Sequence, residues 1–200
     1  MRLFSKDFAH EQRLPLVCAF GTFESKRFHM RENLNPHLAW TDAPSGTASF
    51  ALICDDIDCP DVDQAAWSGG PFPKSFGMRV FCHWLLVDIP STMTEIARGE
   101  FSDGAYVRGK PGPHAKHGTR QGSNDYTDFF AANGGLFKGT YYGYDGPWPP
   151  EGAKPHRYVF DLYSLSVPVL DSLQGTFEKK DVLAAIEGKV LAKASLTGMF

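Results

Sequence analysis

With 200 residues, 42% of them hydrophobic and 22% charged, the chain has the composition of an ordinary globular protein and can bury a core of its own. A net charge of -3 excludes the dense Lys/Arg surface on which nucleic-acid binding depends. The apolar stretch Leu14 to Phe20 contains Pro15 and follows Asp7 and Glu11. It therefore reads neither as a secretory signal nor as a membrane span, and a cytoplasmic chain is expected.

Residues 49–54, Ser-Phe-Ala-Leu-Ile-Cys, form a short apolar run that stops at an acidic, proline-bearing turn, and predict a buried strand. A second such run covers Arg79 to Ile89, and a third covers His156 to Leu165. Turn-rich segments separate them: Gly69 to Pro73, Gly109 to Pro113 and Gly143 to Gly152. Lys179 to Glu187 predicts the one clear helix, with Val182, Leu183 and Ile186 at helical spacing and Gly188 as its stop. After it, Val190, Ala192, Ala194 and Leu196 alternate with Lys193, Ser195 and Thr197 and predict a final strand. The expected class is mainly β, with packed sheets and peripheral helices in one domain over 1–200. Cys18, Cys54, Cys59 and Cys82 lack the paired spacing of zinc sites and are expected as reduced thiols.

Four segments carry candidate chemistry. Asp55 to Pro60 places Asp56 and Asp58 at the end of a strand, where carboxylates orient a histidine or a ligand, or simply close an Asx-type turn. His83 lies within an apolar strand whose alternation puts it beside Phe81, Leu85 and Val87, as a core histidine or a cavity contact. His156 and Tyr158 share one strand face, a donor-rich wall suited to phosphate or carboxylate, while Arg157 faces away. Gly143 to Pro150 is a rigid aromatic turn whose glycine can bring a backbone N–H close to an anion. Gly104 to Lys110 mimics phosphate-loop spacing, but Pro111 replaces the magnesium-binding hydroxyl, so it reads as a plain loop. His114 and His117, three apart in a Gly/Pro-rich loop, lack the geometry of a metal pair. No HExxH, no Gly-x-Ser-x-Gly elbow and no dinucleotide fingerprint occurs.

In order, these segments resemble the phosphatidylethanolamine-binding protein family, in its bacterial Raf-kinase-inhibitor-like branch. Asp56-Ile-Asp-Cys-Pro60 resembles the family's Asp-Pro-Asp-x-Pro motif, and His83 to Pro90 its histidine strand. Tyr144 to Pro150 followed by His156-Arg-Tyr158 resembles its Gly-Pro-x-Pro-Pro and Gly-x-His-Arg-Tyr block. Asn35 to Trp40 and Leu183 to Ala192 extend the likeness toward both ends. The resemblance implies a large antiparallel sheet packed on a smaller one, and a pocket for phosphate-like anions or phospholipid head groups. Its pocket positions fall on Asp56, Asp58, Pro60, His83, Gly146, Pro147, His156 and Tyr158. It further implies a cis Cys59–Pro60 bond, no cofactor and no metal, and it accommodates a kinase or protease partner and a homodimer. Two departures stand out: Ile57 replaces a motif proline, and residues 106–142 make a long insertion expected to build a rim. The implied function is non-enzymatic binding; the competing one is a metal-assisted phosphoesterase built on the same Asp and His residues.

Overall fold

The computed structural model describes residues 1–61, 77–133 and 135–200. In chain order its strands are β1 (Arg2–Phe4), β2 (Gln12–Arg13), β3 (Gly21–Glu24), β4 (Arg27–Met30), β5 (Leu38–Thr41) and β6 (Ser49–Pro60). β7 (Met78–Pro90), β8 (Glu95–Ile96), β9 (Arg120–Gln121), β10 (Arg157–Leu165) and β11 (Val190–Met199) follow, with helices α1 (Tyr126–Asn133) and α2 (Lys179–Ile186). All four predicted strands are present, and the predicted helix ends at Ile186, with Gly188 at φ 71 just beyond. The turn expected at Gly69 to Pro73 lies outside the described residues.

The class is mainly β. Among the described residues the largest sheet runs β2-β11-β10-β6-β7-β9, and a smaller one runs β1-β5-β8. Neighbours in the large sheet are antiparallel except β2, which joins β11 in parallel over two residues.

The two sheets close on one hydrophobic layer. Leu3, Leu38, Trp40 and Ile96 of the small sheet meet Phe50, Leu52, Trp84, Leu86, Phe160 and Leu162 of the large one. Burying one such side chain contributes on the order of 1.5–3 kcal/mol, so this layer dominates the stability. On the opposite face of the large sheet, Val182, Ala185 and Ile186 of α2 cover Ala51, Ile53, Leu85 and Val87. The helix starts at a capping box in which Glu178 N–H donates to Asp181 Oδ2 at 2.9 Å. A third cluster gathers Phe20, Phe81, Tyr126, Phe130 and Tyr141 at one end of the large sheet.

Two expectations need correction. The Cys59–Pro60 peptide is trans; the cis bond among the described residues is Gly112–Pro113. The reason is local: β6 stays extended through Pro60, with Cys59 opposite Arg79 and Pro60 opposite Met78, so no tight turn exists there. The second correction is α1, a helix within residues 106–142 that periodicity does not reveal.

Candidate functional site

The site grows from an irregularity in β7. Leu85 pairs with Ile53, Trp84 with Cys54 and Cys82 with Asp55, so His83 has no partner on β6 and forms a bulge. A bulge shifts the alternation of side chains by one. Cys82, Leu85 and Val87 accordingly face α2, whereas Trp84 and Leu86 face the small sheet. His83 does not share the face of Leu85 and Val87, as strict alternation predicts. Its ring lies instead 4.9 Å from that of Phe81, 5.1 Å from Tyr158 and 5.5 Å from Tyr126.

The imidazole is almost fully buried and held at one nitrogen. His83 Nδ1 lies 2.6 Å from the Asp145 main-chain oxygen, and Asp145 N–H donates back to the His83 carbonyl at 3.0 Å. Burial pushes the His83 pKa below its ordinary value, against the opposing pull of Asp56, the Asp145 carbonyl and Asp125.

Across the cavity, His156 Nδ1 meets Asp56 Oδ2 at 2.7 Å, both side chains buried. Asp56 Oδ1 also accepts the Asp58 N–H at 2.8 Å, closing the expected Asx-type turn. Tyr158 lies opposite Asp56 on β10, and burial raises its phenol pKa well above the usual value, so it remains a neutral O–H. Asp58 turns outward and grips Arg157, Oδ2 to Nε and Oδ1 to Nη2 both at 2.7 Å.

These groups surround a cavity of about 50 Å³, large enough for a water or a small polar group. Of the positions that the resemblance marks, Asp56, Pro60, His83, His156 and Tyr158 line it. Asp58, Gly146 and Pro147 do not. Gly146 N–H, offered by the sequence as an anion donor, is already spent on Asn33 Oδ1 at 2.8 Å. The Pro147 carbonyl accepts the Phe20 N–H at 2.9 Å behind the wall.

Sequence reasoning missed the rest of the wall. Tyr126 and Phe129 come from α1, Trp148 from the proline turn, and Arg79 and Phe81 from β7. Arg79 stands over the Phe81 ring at 5.3 Å, the one Lys or Arg among the described residues of the cavity wall. Asn124 gave a usable signal: its Oδ1 accepts the Tyr126 N–H at 3.0 Å, a side-chain cap at the start of α1. Cys59 also borders the cavity, but burial and the nearby Asp56 push its thiol up to about 11, so it is no nucleophile at neutral pH. Among the described residues, no three His, Cys, Asp or Glu side chains are grouped so as to hold a metal ion.

Comparison with known proteins identifies the family. A family model described as phosphatidylethanolamine-binding protein matches residues 4–200. A UPF0098 protein of Aquifex aeolicus is 31% identical over 200 residues, covering 100% of this chain and 88% of that protein. UPF0098 protein YbhB of Escherichia coli is 30% identical, covering 100% and 99% respectively. The crystal structure of Escherichia coli YbcL, described as a member of the mammalian PEBP family, superposes with a TM-score of 0.68 at 24% identity, covering 100% of this chain and 96% of that one. This chain is thus a member of the phosphatidylethanolamine-binding protein family.

Proposed function

We propose that the protein is a non-enzymatic binding protein whose cavity takes a phosphate-like anion or the phosphorylated head of a small molecule. One observation carries this reading: two imidazoles, a phenol and a guanidinium from separate parts of the large sheet converge on one small cavity. The Tyr158 hydroxyl and Arg79 supply donors, and each imidazole becomes a second cationic donor when protonated. Trp148 Nε1–H is a further buried donor in this wall with no acceptor among the described residues. Aromatic rings around these groups exclude water and strengthen each polar contact. Asp56 orients His156 and offers a counter-charge to an ammonium group.

Isothermal titration with O-phosphoethanolamine tests the reading. One molecule per chain is expected to bind, and His83→Ala is expected to weaken binding about tenfold or more through loss of a charge-assisted contact. Affinity should fall as pH rises on the acid side of neutrality, because burial holds the His83 pKa below its ordinary value and the protonated ring is the better partner for an anion. Titration at acid pH in two buffers of different ionisation enthalpy reports the proton taken up there. Incubation with p-nitrophenyl phosphate and divalent cations is the counter-test. Turnover lost in His83→Ala would establish the phosphoesterase instead.

A further inference from the structure

His83 is fixed from behind by a set of residues that the cavity itself does not use. A carbonyl oxygen can only accept, so the 2.6 Å contact with Asp145 O puts a proton on Nδ1 of His83. In the neutral ring Nε2 then carries a lone pair. Among the described residues Nε2 has no protein partner, and the ring borders the cavity.

The clamp on Asp145 is unusually complete. Its side chain is fully buried and accepts from Asn33 Nδ2 at 2.7 Å, Asn124 Nδ2 at 2.8 Å and Lys110 Nζ at 2.8 Å. Asn124 also donates to the Gly143 carbonyl at 2.9 Å, and Lys110 binds the Tyr144 carbonyl. The next residue, Asp125, accepts the Cys82 N–H at 2.8 Å and returns its own N–H to the Cys82 carbonyl at 3.0 Å. Both sides of the bulge are therefore pinned. The Asp145 carbonyl cannot swing away without breaking three buried contacts to its carboxylate.

His156 repeats the pattern. Its Nδ1 faces the Asp56 carboxylate at 2.7 Å, which places the proton on Nδ1 and leaves Nε2 as an acceptor while the ring is neutral. A fully deprotonated oxyanion brought against such a lone pair meets repulsion. An oxyanion carrying its own hydroxyl makes a hydrogen bond there instead.

Resting on the binding role proposed above, we infer that Asp145, clamped by Asn33, Asn124 and Lys110, is a positioning residue that fixes His83 as the Nδ1–H tautomer. The cavity thereby selects oxyanions that bear a proton. The groups that face His83 are Asp56 on β6, Asp125 and Tyr126 at the start of α1, Tyr158 on β10 and Asp145 itself, with Arg79 and His156 bordering the same cavity. Burial outweighs the carboxylates and keeps the ring neutral near neutral pH, where the tautomer decides what binds.

Inorganic phosphate and sulfate make the test. They have similar size and shape, but phosphate keeps at least one proton across the neutral range and sulfate keeps none. At about pH 8 and constant ionic strength, phosphate is expected to bind about a hundredfold more tightly, as sites built around a ligand hydroxyl reject analogues that lack it. The gap should narrow as pH falls and His83 becomes a donor. Nitrogen-15 spectra of the ring should show Nδ1 protonated and Nε2 bare in the free protein, whether or not anything binds. Asn124→Ala should blur that pattern and reduce the preference for phosphate. Equal affinity for the two anions, or a ring protonated at Nε2, overturns the inference while leaving the binding role standing. Binding of neither anion, with the Nδ1–H ring observed, sinks the binding role and the selectivity with it, but leaves the positioning role of Asp145 intact. A His83 spectrum unchanged in Asn124→Ala overturns that positioning role.

Discussion

Lys110→Met is expected to lower the free energy of unfolding by about 3–5 kcal/mol, because it leaves a buried carboxylate without its cation. Lys110 and Asp145 side chains are 5% and 0% exposed and meet at 2.8 Å, so solvent does little to screen them. Methionine keeps most of the aliphatic volume, which isolates the charge from the packing. Urea denaturation should show the shift in midpoint with little change in slope. Adding Asp145→Asn to the same chain should recover part of the loss, since the buried charge is then gone; Asn33 and Asn124 still find one acceptor oxygen. A loss below about 1 kcal/mol in Lys110→Met would mean that the pair is dispensable and that the two asparagines alone hold Asp145.

Gly146→Ala is expected to cost about 3 kcal/mol or more, an overpacking penalty at a site that cannot relax. A methyl group built there would lie 1.8 Å from the Cys18 carbonyl oxygen and 2.8 Å from the Tyr144 hydroxyl. Neither neighbour is free to yield. The Tyr144 hydroxyl donates to that same Cys18 oxygen at 2.7 Å, and the Gly146 carbonyl accepts from the Tyr126 hydroxyl at 2.8 Å. Thermal unfolding gives the stability, and intrinsic fluorescence of Trp148, which follows Gly146 by two residues, reports on the cavity wall. A variant as stable as the parent, with unchanged fluorescence, would show that the Leu16–Cys18 turn gives way easily.

Gly146 also marks the boundary of what the sequence made legible. The sequence marks this glycine as a backbone donor to an anion, whereas in the structure it allows close approach of two chain segments. Strands β6, β7 and β10 were readable because long apolar runs between turn residues have few other outcomes. Helix α2 was readable from its spacing and its glycine stop. Helix α1 was not, since its aromatic residues face a cluster on several sides instead of forming one apolar stripe: Tyr126, Phe129 and Phe130 all contact other rings. Lys110 reads locally as part of a false phosphate loop, because nothing near it in sequence predicts the buried ion pair with Asp145, 35 positions later. Asp56, His83, His156 and Tyr158 were named and do meet, while the direction of His83 depended on a bulge that alternation alone cannot foresee. Asp58 was named as well, but its partner on the neighbouring strand, Arg157, draws it outward.

The bulge at His83 makes the cavity depend on counting as well as on chemistry. Cys82 and Trp84 are two residues apart yet lie on opposite faces of the sheet. Removing a single residue there would restore regular alternation and abolish the unpaired position from which the histidine ring enters the cavity. Point substitutions can therefore re-tune this cavity one group at a time, whereas an insertion or deletion within β7 would dismantle it in one step. Among descendants of such a sequence, strand length should drift less than residue identity does. A laboratory library meant to alter ligand preference should vary side chains along β7 and keep its length fixed.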